Sequence, residues 1–180
     1  YSCGYGGRLL GISSSNMGYT YVGTDPNTET FEYLNYLNSF LNTNSEIIQS
    51  VSEDYQSENI DLAFSSPPYF NLEKYSDEPT QCMVNYTTLE EWFEGYVAPT
   101  MHNIHKGLNA EGIFATNIAD YKSYGNKEYS VVEDWIKTAE KVGFTHSNTI
   151  KMMLNTRPGA GNDKLAGREK WEGVYVFTKN

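Results

Sequence analysis

The 180-residue chain has only two cysteines, Cys3 and Cys82, far apart and without C-x-x-C spacing. That scarcity argues against a disulfide framework or a thiolate zinc site and suits a reducing, cytoplasmic compartment. Its three histidines, His102, His105 and His146, have no partner at metal-ligand spacing, so no metal centre is expected. No run of about 18 apolar residues is present, which leaves no candidate for a membrane-spanning helix. Internal repeats, low-complexity tracts and linkers are absent too. With 39% hydrophobic and 20% charged residues, the composition is that of one globular domain large enough to bury a core. The first residue is Tyr1, and "YSCGYGG" opens inside a motif with no secretory pattern ahead of it, so an excerpt of a longer chain is expected.

Positive charge is scarce in most of the chain. Residues 1–150 carry 7 Lys+Arg against 20 Asp+Glu, a balance of −13, whereas residues 151–180 carry 6 against 3, a balance of +3. An acidic body repels a polyanion, so a nucleic-acid partner would have to be met locally or through a part outside this segment. An ordinary solvated loop on an acidic protein is the other reading of the basic tail.

What is present alternates. "GYTYVGTD" (18–25) and "SEIIQSV" (45–51) read as strands, and between them Phe31, Leu34, Leu37 and Leu41 recur at helical steps. "NIDLAFSS" reads as a central parallel strand, apolar on both faces. "TTLEEWFEGYVAPTMHNIHKGL" predicts a long helix, opened by a Thr88/Glu91 capping box and bent at Pro99. "EGIFATNIAD" returns to strand, "EYSVVEDWIKTAEKVGF" to a helix ending at Gly143, and "FTHSNTIKMML" and "EGVYVFTK" close the chain as a hairpin. Strand–helix alternation implies an α/β fold with a mostly parallel sheet, and the closing pair implies a reversed last strand.

Three motifs suggest chemistry. Gly4, Gly6 and Gly7 in "CGYGGRLLG" permit a tight turn and close backbone approach to a ligand ahead of a helix. Asp25 follows nineteen positions after Gly6 at a strand end, where an acid can take both hydroxyls of a ribose; Glu53 and Asp54 lie at the next strand end. A nicotinamide enzyme accounts for these equally well. "SSPPYFNLEKY" separates the possibilities. Two prolines stop the strand at Ser66 and orient the carbonyls around them, and Tyr69 supplies a ring beside them. An exocyclic amine of a nucleobase is a poor nucleophile because its lone pair is delocalised into the ring. A side-chain oxygen and a backbone carbonyl accepting its N–H bonds localise that pair, and an aromatic ring stacks on an extruded base. Ser66, Pro67, Pro68 and Tyr69 supply those parts in order.

With "YVGTDPN", "VSED", "GIFATNIAD" and "GVYVFTKN", these motifs resemble the S-adenosylmethionine-dependent DNA amino-methyltransferases, which modify adenine N6 or cytosine N4, as in restriction–modification. The likeness runs over nearly the whole chain. It implies a Rossmann-like class I methyltransferase fold over residues 1–180, lacking its first strand, and S-adenosylmethionine as cofactor. It also implies cofactor contacts at Cys3, Gly4, Gly6, Asp25 and Asp54, a catalytic Ser66–Tyr69 loop and DNA as partner. Any target-recognition region would lie before Tyr1, after Asn180 or in the 155–171 loop, where Arg157, Lys164 and Arg168 are candidates for phosphate contact.

Phe70, Asn71 and Glu73 are candidates for the base pocket, with hydrophobic filling the alternative for Phe70. Asn117 and Asp120 either support the loop or cap a strand end. Cys82 follows Gln81, so the Pro-Cys nucleophile of carbon-5 cytosine methylation is missing. Methylation of RNA or of a protein glutamine amide, or a non-catalytic binding subunit, are the rivals.

Overall fold

The computed structural model describes residues 1–123, 125–154 and 171–179. The first half is a parallel pair with a helix before and between its strands. Helix α1 (Gly7–Ser15) leaves the glycine turn, and strand β1 (Val22–Asp25) leads to α2 (Thr28–Leu41) and β2 (Glu46–Gln49). The Asn27 side chain accepts from Thr30 N–H at 2.8 Å, satisfying one of the free amides that start α2. The parallel register sets Gly23 beside Ile47 and Asp25 beside Gln49, so Asp25 stands at the carboxyl end of β1. Leu34 of α2 packs with Cys3, Leu9 and Ile47 in a small core of its own.

The second half is larger. Strand β3 (Ile60–Ser65) leads through α3 (Cys82–Asn85) to α4 (Leu89–Trp92), a π-turn (Phe93–Val97) and α5 (Ala98–Gly107), and then to β4 (Leu108–Ile118). A small antiparallel pair, β5 (Tyr121–Lys122) and β6 (Glu128–Tyr129), precedes α6 (Val132–Val142), β7 (Phe144–Met153) and β8 (Trp171–Lys179). The expected capping box is present: Thr88 Oγ1 accepts from Glu91 N–H, and the Glu91 carboxylate accepts from Thr88 N–H, both at 3.1 Å. A π-turn lies just ahead of Pro99, where the bend was expected. Pro99 follows closely on the π-turn, and the carbonyl of Gly95, four residues before it, accepts from the Tyr86 hydroxyl at 2.9 Å.

The sheet order is β3-β4-β8-β7, with β3 and β4 parallel and β8 antiparallel to both its neighbours. The sheet is therefore mixed: β3, β4 and β7 run in one direction and the last strand, β8, runs against them. Phe114, Phe144, Phe177, Trp92 and Trp135 form the centre of the core, under α5 and α6. Strand β3 is not apolar-buried on both faces. Leu62 and Phe64, which alternate onto one face, are 58% and 38% exposed. Residues Tyr1–Cys3 lie between the two halves: Cys3 N–H donates to Thr24 O at 2.8 Å, and Ser65 Oγ donates to Ser2 O at 3.4 Å. Among the described residues, no helix is long and apolar enough to cross a membrane.

Candidate functional site

The carboxyl ends of β1, β2 and β3 meet at a cavity of about 320 Å³, lined by residues of the glycine turn, of the two acidic strand ends and of the proline loop. Gly4 and Asp25 are on one side, Ser52 and Glu53 follow β2, and Ser66, Pro68 and Tyr69 follow β3.

The glycine turn works in two ways. Gly4 has φ +62°, a left-handed conformation, and its N–H donates to Asp25 Oδ2 at 3.1 Å. Gly6, at φ +91°, ends the turn against α2, where a Cβ would come within 2.7 Å of Leu37 Cδ2. Gly6 therefore allows close helix packing and does not line the cavity. Cys3 does not line it either: its side chain is buried in the small core, and burial pushes the thiol up to about 11.

Asp25 is held by two backbone donors, Gly4 N–H and, on Oδ1, Asn27 N–H at 3.2 Å. Partial burial pushes its carboxyl above the ordinary range, opposed by those same two hydrogen bonds. Both oxygens keep lone pairs, and the residue borders the cavity. Asp54 was the expected second acid, but it borders a neighbouring pocket only, and Glu53, which borders both, is the acid on the cavity. Burial raises the Glu53 carboxyl, and the Tyr86 hydroxyl donates to its Oε1 at 2.8 Å. The sequence shows two adjacent acids and nothing that chooses between their side chains.

The proline loop is pinned by the segment after β4. Ser66 Oγ donates to Asn117 Oδ1 at 3.2 Å, Ala119 N–H donates to the Tyr69 hydroxyl at 2.9 Å, and the Tyr121 hydroxyl donates to Phe70 O. The Tyr69 ring meets Tyr121 edge-on at 4.9 Å, and burial pushes its phenol up to about 12. Pro67 is buried and Pro68 faces the cavity. Phe70 is not a pocket residue. It is 7% exposed and packs 5.6 Å from Tyr129 and 6.5 Å from Trp92. Asn71 adopts φ +51° and faces solvent as the chain turns out of the loop, so it does not line the cavity. Glu73 does line it, and the Tyr75 hydroxyl donates to its carboxylate. Asp120 lies away from the cavity: its Oδ1 accepts from Val131 N–H at 2.7 Å and Val132 N–H at 3.0 Å, capping α6. Arg157, Lys164 and Arg168 lie outside the described residues.

Two cavity residues, Arg8 and Tyr96, were not singled out as candidates in the sequence. Arg8 borders the cavity with one guanidinium nitrogen on Ser2 O and Cys3 O, at 3.1 and 3.0 Å. Tyr96 reaches it from the π-turn, its hydroxyl 3.2 Å from Ser2 Oγ. The sequence placed it only on the long helix that follows Thr88.

No family model matches the chain, and no curated protein matches it. Solved structures do. A TehB-like S-adenosylmethionine-dependent methyltransferase from Corynebacterium glutamicum aligns with TM-score 0.60 and 20% identity, over 99% of this chain and 77% of its own. An O-methyltransferase from a trans-AT polyketide synthase multienzyme of Brevibacillus brevis, in complex with S-adenosyl-L-homocysteine, gives TM-score 0.62 and 12% identity, over 99% of this chain and 65% of its own. The [4+2]-cyclase SpnF gives TM-score 0.62 and 11% identity, over 99% of this chain and 73% of its own. The chain has the Rossmann-like class I methyltransferase fold. At these identities the likeness is one of fold, and the cyclase among the matches shows that the fold does not by itself name a reaction.

Proposed function

We propose that the protein binds S-adenosylmethionine and methylates the exocyclic amine of a flipped DNA base, cytosine N4 or adenine N6. The observation that carries this reading is a cavity bordered at once by the glycine turn, the ribose-type acid Asp25 and the Ser66-Pro67-Pro68-Tyr69 loop.

The residues suit the cofactor. Asp25, oriented by two amides, has lone pairs for both ribose hydroxyls, and Gly4 leaves the backbone open beside it. Arg8 offers guanidinium donors to a carboxylate. When bound, the cofactor supplies an activated methyl group on a sulfonium. In this reading Ser66 Oγ and the Pro67 carbonyl accept the N–H bonds of the target amine, which localises the nitrogen lone pair. Tyr69, its hydroxyl fixed on Ala119, presents its ring for stacking. Positioning carries the reaction, and the amine sheds its proton after transfer.

A neutral serine at the head of the motif favours cytosine over adenine. DNA contact is assigned to Arg157, Lys164 and Arg168 and to regions beyond this segment. The same proposal treats residues 1–180 as one catalytic domain whose first strand runs ahead of Tyr1. The bonds of Cys3 to β1 and of Ser2 to β3 support that.

Incubation with labelled S-adenosylmethionine and DNA, followed by mapping of modified bases, tests the proposal. Label in a base amine, strongly reduced in Tyr69→Ala, is the expected result. Label in RNA or in a protein amide instead moves the substrate class. Cofactor binding without transfer to any of these indicates a non-catalytic subunit.

A further inference from the structure

We propose that Asn117 is a positioning residue that fixes the Ser66 hydroxyl as a pure acceptor toward the cavity, on the reading that Ser66 holds a target amine. The assignment starts from the far end of a short chain of bonds. Asn117 is 7% exposed, and one end of its side-chain amide lies 3.1 Å from the carbonyl oxygen of Gly173. A carbonyl has no proton, so the amide nitrogen must face it. The amide oxygen then faces Ser66 Oγ at 3.2 Å and has no proton to give. Ser66 must donate, and it has one proton. Lone pairs alone remain on Oγ, and Ser66 borders the cavity.

The fold enforces each link. The β3–β4 register places Ser65 beside Thr116, and one step further brings Ser66 beside Asn117. The β4–β8 register places Asn117 opposite Val174, next to Gly173. Gly173 is itself locked between β4 and β7, opposite Ile118 and Lys151. A free serine hydroxyl rotates, and in part of its range it would donate to the amine and compete for the lone pair that must attack. Fixing the rotor before substrate arrives removes that competition. An asparagine amide also cannot take the Ser66 proton, so Ser66 serves as an acceptor and not as a base.

Asn117→Asp separates these roles. A carboxylate at 117 is repelled by the Gly173 carbonyl, which draws it out of line with Ser66 and frees the hydroxyl rotor; only the protonated acid can donate to Gly173 and accept from Ser66 together. The expected result is transfer reduced about 100-fold near pH 8 and recovering as the pH falls toward about 5, a rise the wild type does not show. Cofactor affinity should stay within about 2-fold and thermal unfolding should stay cooperative. Asn117→Asp activity that matches the wild type and climbs with pH would overturn the proposal, since Ser66 would then need a base. Neutron diffraction of the wild type reads the network without any substrate. Deuterium between Ser66 Oγ and Asn117 Oδ1 is expected, and a reversed amide overturns the assignment. If the wild type methylates no amine at all, the functional reading falls, and the neutron map still decides the orientation.

Discussion

Two consecutive stretches of chain border the cavity and are built in opposite ways. The loop 66–70 is short, half-buried and tied at Ser66, Tyr69 and Phe70 to residues fifty or so positions away. The strap 71–81 is mostly exposed. It holds the rest of the protein through Glu78, whose two carboxylate oxygens accept from Thr28 N–H at 3.2 and 3.3 Å, and is otherwise knit by local pairs such as Lys74–Asp77. Both contribute cavity walls, but only the first has its geometry fixed by the core. Chemistry that needs tenths of an ångström belongs on the first, and the second suits tolerant contacts.

Substitutions at the junction should expose that contrast. Phe70→Ala empties a core position and is expected to cost about 3–5 kcal/mol, whereas Asn71→Gly, one residue on and free to keep the left-handed backbone there, should stay within about 0.5 kcal/mol. Urea unfolding of the pair measures the difference, and equal effects would remove the distinction between loop and strap. Tyr69→Ala should lower transfer about 10- to 100-fold through lost stacking, while Tyr75→Ala on the strap should change it less than about 5-fold. Steady-state rates on the labelled substrate decide this.

Asp25→Asn should weaken S-adenosylmethionine binding about 10- to 100-fold, because charge-assisted bonds to hydroxyls are lost. In the wild type, affinity should decline with falling pH earlier than an ordinary aspartate allows, because burial raises the Asp25 carboxyl and its ionised form is the acceptor. Calorimetry across pH reads both. The linkage to stability has the opposite sense. A raised folded-state pKa favours folding while the group is protonated, and that contribution is lost as pH rises through it, so Asp25→Asn should be relatively more stable at neutral pH. The smallest effect is expected for Glu78→Gln, at most about 1 kcal/mol, from loss of a carboxylate at the start of α2. A large loss of cofactor affinity in that variant would show that the strap holds its cavity wall as strictly as the loop does.

Much of the frame was legible from periodicity and turn chemistry. The α2 stripe, the Thr88/Glu91 box, the Gly143 helix end and the strand-ending Ser66-Pro67-Pro68 all depend on residues close in sequence, and all appear where those residues place them. The misreadings share a cause. Phe70 lies in the core because Trp92 and Tyr129, both distant in sequence, leave a slot for it. Glu53 faces the cavity in place of Asp54. That β8 enters between β4 and β7, leaving β7 at the edge, is likewise a choice no local pattern encodes.

By itself the sequence determined the order of elements, the glycine turn, the acid at the end of β1 and the proline stop after β3, because backbone sterics and side-chain periodicity act within a few residues. Only the tertiary structure decided which neighbouring side chains share the cavity and which way the Ser66 proton points. Those depend on strand register and on the Gly173 carbonyl, over a hundred residues away in sequence and reached through Asn117.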